Sequence, residues 1–306
     1  MVIGKGLPVY KESCVDLRFS VIIPAFNSEE YIGEALESAL NQIDVSLEII
    51  VVDDGSTDKT LTIVKSFGDS VRVICQENSG VAAARNKGAK AATGNILAFL
   101  DSDDIWLRDK LRVQSGKLKE GFGMVYSNRL NIGQIGDLPS IQSDLGKMPE
   151  GDIWEKLLLE NTITTSSLVI RKNIFISLNG FRTDLSHAED WDLWLKCAEN
   201  NLVGYCPEPL IKYRCHQGSL SKNYTIMSQM REKVVAAALD TRRGRSLSSI
   251  KRHRAVAEAW STSAWDAARW NDKRNALRFY GRAIWSWPIN LGLWYNVARV
   301  ICGRAC

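Results

Sequence analysis

The stretch from residue 96 to residue 104 constrains the fold of this chain more than any other. The apolar run Ile96-Leu97-Ala98-Phe99-Leu100 has the composition of a buried β-strand, and Asp101-Ser102-Asp103-Asp104 follows it directly. Acids that follow a buried strand lie at its carboxyl end, which is where open α/β sheets bind their ligands. Three carboxylates within four residues repel one another unless a cation or several donors neutralise them. The stretch therefore predicts a strand that ends in a ligand site.

The same acids predict a divalent metal. Oxygen ligands without an adjacent cysteine or histidine favour Mg²⁺ or Mn²⁺, which proteins usually hold with one or two carboxylates together with substrate phosphates. The alternative is an acidic turn that caps the helix after Ile105 and binds no ion.

The residues before this stretch alternate between strand and helix patterns. Short β-rich apolar runs at 20–24, 47–52 and 71–74 predict buried strands. Between them, Ser28 is a candidate cap for a helix with apolar residues at helical spacing, and residues 60–67 predict a second helix. This order predicts right-handed βαβ units and a parallel sheet.

Residues 78–88 open a predicted alanine-rich helix that runs to Ala92. The glycine and the free amides at its start suit an anion, and Arg85 would project from it as a bidentate donor for a diphosphate. The segment is neither a P-loop nor a dinucleotide GxGxxG motif. The alternative is a packing helix with one surface arginine.

Composition narrows the class of protein. The 306 residues are 45% hydrophobic, which is sufficient for a substantial core. The apolar runs are far shorter than the roughly eighteen residues that cross a bilayer, and residues 1–5 lack the layout of a signal peptide. The seven cysteines form no CxxC pair, so we expect reduced thiols and a cytoplasmic protein.

Charge divides the chain near residue 222. Residues 223–306 contain fifteen Lys or Arg and five Asp or Glu. Residues 1–222 contain the other 24 Lys or Arg and 30 Asp or Glu, so they are net acidic. The same tail holds six of the ten tryptophans. This basic, aromatic tail fits peripheral contact with an anionic membrane on its cytosolic face. The alternatives are packing on the rest of the chain, on a partner protein or on a second copy, and a helical cap with core tryptophans. We expect no nucleic-acid partner, because no recognised module is present.

Four motifs together carry a family resemblance. They are residues 20–27, 52–58, 78–88 and 99–104, and their order and spacing resemble those of the family 2 glycosyltransferases of the GT-A fold. The resemblance covers roughly residues 18–222. It implies an α/β protein with a Rossmann-like, mostly parallel sheet sandwiched by helices, to which this chain adds an α-helical C-terminal extension.

The predicted domains follow from the resemblance and the composition. Residues 1–18 form an N-terminal extension, and residues 19–222 form a GT-A catalytic domain. Within it, 19–105 is the nucleotide-binding half and 106–222 the acceptor-side half. Residues 223–306 form the basic tail, with a tetratricopeptide-like helix pair near 257–290.

The resemblance implies a site for the nucleotide base. Pro24, Ala25 and Phe26 match the loop that cradles the base, with Phe26 against a pyrimidine ring. Asp54 matches the carboxylate that accepts from the base N–H, with Asp53 as the second candidate.

The resemblance also implies a site for the diphosphate and the sugar. Asp101 and Asp103 match the DxD motif, Asp101 and Ser102 on the ribose and sugar side and Asp103 on the metal, with Asp101 as a second metal ligand. Arg85 would lie near the diphosphate. His216 matches a position that is a further metal ligand in some members, although a lone histidine is often structural.

A second acid pair supplies a candidate general base. Inverting transfer needs one carboxylate to take the proton of the acceptor hydroxyl. Asp190 matches the base of the family's Glu-Asp motif, and Glu189 is the runner-up. The alternative is an acidic first turn of a helix, with Trp191 and Trp194 in the core.

The sequence thus predicts a metal-assisted inverting glycosyltransferase. Its donor would be a nucleotide-diphosphate sugar, first a UDP-sugar and otherwise a dTDP- or GDP-sugar, and its acceptor a hydroxyl of a glycan or lipid-linked glycan. Two alternatives stay open. One is a nucleotide-sugar-binding protein without catalysis, and the other is a sugar nucleotidylyltransferase, which would not need the second acid pair.

Overall fold

A computed structural model of the chain describes residues 16–134, 138–216 and 224–302. Most of the predicted N-terminal extension lies outside the described residues. The described chain forms two compact units. The first comprises residues 16–153, 162–184 and 196–216, and the second comprises 154–161, 185–195 and 224–302.

An eight-stranded sheet is the framework of the first unit. Its strands are β1 (Arg18–Ala25), β2 (Ser46–Asp53), β3 (Arg72–Cys75), β4 (Ile96–Phe99), β5 (Ile105–Trp106), β6 (Met124–Gly133), β7 (Val169–Arg171) and β8 (Val203–Cys215). Their order is β3-β2-β1-β4-β7-β6-β8-β5. Strands β1 to β4 pair in parallel, as does β6 with β8, whereas β7 is antiparallel to β4 and β6, and β5 to β8.

Helices accompany the strands in chain order. They are α1 (Ile32–Leu40), α2 (Thr60–Ser66), α3 (Val81–Ala91), α4 (Lys110–Lys119), α5 (Trp154–Leu159), α6 (Lys172–Ser177) and α7 (Glu189–Asn200). They continue with α8 (Tyr224–Asp240), α9 (Arg242–Ser246), α10 (Ser249–Arg269), α11 (Lys273–Ser286) and α12 (Leu291–Ile301).

The central strand β1 is covered on both faces. Val21 and Ile23 share one core with the apolar face of α1. Ile22 points to the opposite face, where a β-carbon on Gly88 of α3 would lie 2.5 Å from its Cγ2 atom. Only glycine allows α3 to approach the strand this closely. A sheet buried on both sides needs continuous apolar strands, which explains the run in β1 and confirms the predicted α/β class.

One local prediction was wrong. Ser28 does not cap α1, which begins at Ile32, because the Ser28 hydroxyl donates to the carbonyl of Phe26 instead. Side-chain hydrogen bonding of this serine competes with the regular backbone pattern. Farther along the chain, a 3₁₀ turn at Thr165–Ser167 precedes β7.

The second unit is helical over most of its length. Helices α10 and α11 share an apolar core with α12, and the Trp260 and Phe279 rings stack at 5.6 Å between centroids. Alanines at 264, 267, 276 and 283 are buried in this core, so the helices approach closely. Among the described residues, none of the helices combines the length and apolar character needed to traverse a bilayer.

Candidate active site

The loop after β1 is held to the loop after β2. Pro24 and Ala25 are the last residues of β1, and Phe26 follows as an exposed aromatic side chain. Asn27 adopts φ 47°, and its Oδ1 atom accepts from the Thr57 amide at 2.8 Å. The residues predicted to cradle the base therefore lie at the carboxyl edge of the sheet.

The two acids at the end of β2 have different surroundings. The Asp54 carboxylate accepts from Gln76 Nε2 at 2.7 Å and from the amides of Ser79 and Gly80 at 2.9 and 2.8 Å. Asp53 is equally buried, and its Oδ1 atom has no hydrogen-bond partner among the described residues. The amides before α3 that sequence analysis expected to be free are therefore partly occupied by Asp54.

Arg85 is a buried residue of α3. Its Nη2 atom lies 2.6 Å from Asp101 Oδ1, and its guanidinium carbon lies 5.3 Å from the centre of the Phe181 ring. The alternative of a surface arginine is thus wrong, because the strand end draws this side chain inward as an ion-pair partner. The helix after β3 and the acids after β4 are joined by this contact.

The acidic residues after β4 form a tight turn. The Asp104 amide donates to the carbonyl of Asp101 at 3.1 Å, and the Asp101 amide donates to Ser166 Oγ at 3.1 Å. Ser102 Oγ lies 2.8 Å from Ser28 Oγ. Contacts with Ser166 and Ser28 therefore fix the turn, and its three carboxyl groups lie close together after β4.

Arg214, at the end of β8, makes two hydrogen bonds to this turn and also contacts Glu34 and Tyr31. Its amide donates to Asp104 Oδ1 at 2.9 Å, and its Nε atom donates to the carbonyl of Asp103 at 2.9 Å. Its Nη2 atom donates to Glu34 Oε2 at 2.5 Å, and the guanidinium lies 4.7 Å from the Tyr31 ring. Arg214 therefore supplies positive charge and fixes the turn.

His216 completes the surroundings of Asp103. Its Nε2 atom lies 2.8 Å from Asp103 Oδ2, and its ring lies 5.3 Å from the Tyr31 ring. Burial raises the pKa of Asp103, the Asp101 carboxylate raises it further, and His216 opposes both. Burial also raises the pKa of Asp104 well above its usual value, and both neighbouring acids add to this. The turn thus concentrates negative charge where water is scarce.

The donor atoms of the turn suit a hard divalent cation. Asp103 and His216 already converge, and Asp101 belongs to the same turn. In the part of the chain that the structure describes, no group of three or more His, Cys, Asp or Glu forms a complete metal site. Mg²⁺ and Mn²⁺ commonly take their remaining ligands from substrate phosphates and water, so these residues fit such an ion.

Asp190 lies in the first turn of α7, within the second unit. Its Oδ1 atom accepts from the Trp191 amide at 2.6 Å, and its Oδ2 atom accepts from Asn161 Nδ2 at 3.3 Å. Trp191 Nε1 donates to the carbonyl of Leu157 at 2.6 Å, so the helix start is anchored to α5. Glu189 is buried whereas Asp190 is partly exposed.

Ser166 and Arg214 are contacts of the site that sequence analysis did not select. Ser166 is 65 residues from the amide it binds, and Arg214 is 110 residues from Asp104. Arg214 lies two residues before His216, which is the nearest residue that the sequence had singled out. No local pattern distinguishes Ser166.

Solved structures with the same fold support the architecture. TarS 1–349 of S. aureus in complex with UDP has a TM-score of 0.63 at 22% identity, and the match covers 94% of this chain and 89% of that one. The mannosyltransferase PcManGT from Pyrobaculum calidifontis, in complex with GDP-Man and Mn²⁺, has a TM-score of 0.59 at 20% identity, covering 98% and 89%. These neighbours confirm the GT-A-like sheet with a helical C-terminal region.

Sequence comparison identifies the family. The model of the family "Glycosyl transferase family 2" matches residues 20–175. The E. coli UDP-Glc:alpha-D-GlcNAc-diphosphoundecaprenol beta-1,3-glucosyltransferase WfgD is 34% identical over 215 residues, which are 68% of this chain and 81% of that protein. Chondroitin synthase of E. coli is 31% identical over 190 residues, 59% of this chain and 26% of that protein. The chain is therefore a glycosyltransferase and belongs to glycosyl transferase family 2.

Proposed function

We propose that this protein transfers a sugar from a nucleotide-diphosphate donor to a hydroxyl of a lipid-linked glycan, with inversion at the anomeric carbon. The observation that carries the proposal is the acidic turn after β4, which Arg85, Arg214 and His216 surround. A cluster of this composition matches a phosphorylated ligand that shares a cation with the protein. The alcohol acceptor is supported by WfgD, whose name specifies a diphosphoundecaprenol-linked sugar.

We propose a UDP-sugar as the donor. TarS has been solved with UDP and with UDP-GlcNAc, and WfgD is named for UDP-Glc, whereas PcManGT was solved with GDP-Man. Phe26 would lie against the base, and Asp53 would accept from the base N–H, because Asp54 already receives three hydrogen bonds from its own chain. This assignment reverses the order that the family resemblance implied for the two acids.

The leaving group would be stabilised by the acidic turn and its cationic neighbours. Asp103, with Asp101 and His216, would hold a Mn²⁺ or Mg²⁺ ion, which when bound neutralises charge on the diphosphate. Asp101 would also face the sugar side with Ser102. Arg85 holds Asp101 in place and adds positive charge where the nucleoside diphosphate departs.

Asp190 is the proposed general base. As the acceptor oxygen forms its bond to the anomeric carbon, its proton moves to the Asp190 carboxylate, and the bond from that carbon to the diphosphate oxygen breaks. The hydrogen bonds from Trp191 and Asn161 would orient the carboxylate, and its partial exposure leaves it accessible to a hydroxyl. Glu189 is less suited, because it is buried.

A donor screen followed by one substitution tests the proposal. Thermal shifts are measured with UDP-, dTDP- and GDP-sugars, each with and without Mn²⁺, since a ligand of the native state raises apparent stability. We expect a Mn²⁺-dependent shift with a UDP-sugar. Asp190→Asn should keep that shift and lose transfer to an undecaprenyl-diphosphate sugar. Unaltered transfer by Asp190→Asn would overturn the base assignment, and no shift with any donor would overturn the proposed reaction.

A further inference from the structure

The last two helices of the second unit and the loop between them expose several large apolar side chains to solvent. Trp285 is 88% exposed, Leu291 80% and Ile289 73%. The set, which we call the α12 surface, consists of Trp285, Ile289, Leu291, Trp294, Tyr295 and Ile301. Soluble proteins rarely leave so many large apolar residues together in water, and those that do use them for contact with a partner or a membrane.

Helix α12 is apolar on two faces, of which the described structure buries one. Leu293 and Val300 are buried in the core that α10 and α11 form. Leu291, Trp294 and Ile301 are exposed, and the spacing from 291 to 294, 295, 298 and 301 places them on a single stripe of the helix. A helix that is apolar on both sides is expected to be covered on both sides. The exposed stripe therefore indicates an interaction surface.

The charge close to this stripe in the sequence is of one sign. Residues 273–302 contain five Lys or Arg and no Asp or Glu. Arg274, Arg278 and Arg282 are exposed at intervals of four residues along α11, so they form a row on one face that leads to Trp285. The partner must therefore accept both apolar side chains and a row of guanidinium groups.

We propose that the α12 surface lies on an anionic lipid bilayer. Leu291, Ile289 and Ile301 would enter the boundary of the acyl chains, Trp and Tyr rings would lie at the depth of the headgroups, and the arginine row of α11 would pair with lipid phosphates. Each basic residue near such a surface strengthens binding about fivefold. Charge argues against a second copy of this chain, since a two-fold interface through this patch would face one arginine row with another.

The inference does not depend on the donor site, because every residue of the α12 surface lies in α11, α12 or the loop between them. The full chain is tested by co-sedimentation with vesicles of phosphatidylcholine and of phosphatidylcholine mixed with phosphatidylglycerol. We expect binding to the anionic vesicles that weakens with salt, and little binding to the neutral ones.

Two triple variants give a matched comparison. Leu291→Ser, Trp294→Ser and Ile301→Ser together should weaken partition at least about tenfold, since they remove apolar contacts with the bilayer. The control combines Leu145→Ser, Ile176→Ser and Ile250→Ser, three residues of similar exposure outside the α12 surface. It should bind like the unmodified chain. Both variants should keep the thermal shift with UDP and Mn²⁺ shown by the unmodified chain.

Four results would overturn the inference. They are a folded full chain that binds neither kind of vesicle, equal binding to neutral vesicles, equal loss of binding in the control variant, and a dimer in light scattering that the Leu291, Trp294 and Ile301 substitutions dissociate. The last result would assign the surface to a second copy. Arg274→Gln with Arg278→Gln provides a separate check, because these changes should weaken binding to anionic vesicles and leave the apolar stripe intact.

Discussion

Arg85 and Asp101 form a salt bridge of 2.6 Å in which the arginine side chain is only 5% exposed. The pair joins α3 to the turn after β4. An ion pair removed from water contributes little beyond an apolar pair, but the loss of one partner is costly because it leaves a charge uncompensated. Arg85 therefore fixes the position of the Asp101 carboxylate and offsets its negative charge.

Arg85→Met should destabilise the protein by about 1–3 kcal/mol, because Asp101, whose side chain is 28% exposed, loses a charged hydrogen-bond partner. UDP binding should weaken as well. Urea denaturation and calorimetric titration measure the two effects. Arg245→Met is the matched control, since the Arg245 and Asp240 side chains are 68% and 77% exposed and their pair should contribute less than about 1 kcal/mol. Equal stability of the two variants would contradict this account.

Ser166→Ala should impair turnover more than nucleotide binding. Ser166 Oγ accepts from the Asp101 amide at 3.1 Å, and the Ser166 carbonyl accepts from Trp106 Nε1 at 2.8 Å. The 3₁₀ turn that contains Ser166 therefore holds the acidic turn after β4 in place. Loss of the hydroxyl leaves the Asp101 amide without this acceptor, at a cost of about 1–3 kcal/mol. We expect kcat to fall about tenfold and the Kd for UDP to change less than about twofold.

The control for this variant is Ser127→Ala. Ser127 is as fully buried as Ser166, but its hydroxyl donates to the neighbouring carbonyl of Asn128 and does not contact the turn. It should lose stability and keep kcat. If both variants lose kcat equally, Ser166 has no specific positioning role.

Sequence patterns predicted the sheet better than the contacts within the site. Apolar runs of four to eight residues are a local signal. Acids follow these runs in β2 and β4, and Pro24 follows the run in β1, so these strands and their carboxyl ends could be found. The pairing of Arg85 with Asp101 could not be predicted, because the spacing of residues along a helix does not indicate which strand end a side chain contacts. Arg214 reaches Asp104 from a strand that is adjacent only in the fold.

Substitution of the two acids after β2 should separate structural from ligand-binding roles. Asp54→Asn replaces one carboxylate oxygen by an NH₂ group, which then faces the Ser79 or the Gly80 amide, so it should lower stability by about 1–3 kcal/mol. Asp53→Asn removes a buried oxygen that has no partner among the described residues. It should change stability by less than about 0.5 kcal/mol and weaken UDP binding at least about tenfold.

Denaturation and titration with UDP distinguish the two variants. The opposite pattern, in which Asp54→Asn stays fully stable and no longer binds UDP, would restore Asp54 as the residue that accepts from the base N–H. Loss of stability in both variants without an effect on UDP would exclude both acids from the base site.

Glu48 should make stability depend on pH. Its carboxylate accepts from Ser20 Oγ and the Thr93 amide at 2.5 Å each, and from Thr93 Oγ1 at 2.8 Å. Burial acts to raise the pKa of Glu48, but these hydrogen bonds and one from Gly94 outweigh it, so the pKa in the folded protein is lowered. Stabilisation by a group with a lowered pKa is present above the pKa of the unfolded chain, which is about 4.3, and is lost as the pH falls through the folded value.

Glu48→Gln should therefore cost about 1–2 kcal/mol at neutral pH, because all four hydrogen bonds go to Oε1 and an uncharged amide oxygen accepts them more weakly than a carboxylate oxygen. The difference from the unmodified protein should shrink as the pH falls below about 4, where the glutamate of the unmodified protein is itself protonated. Urea denaturation at several pH values measures it. Glu37→Gln, an exposed change on α1, is the control and should have no comparable effect. A Glu48→Gln difference that stays constant with pH would show that its charge does not stabilise the fold.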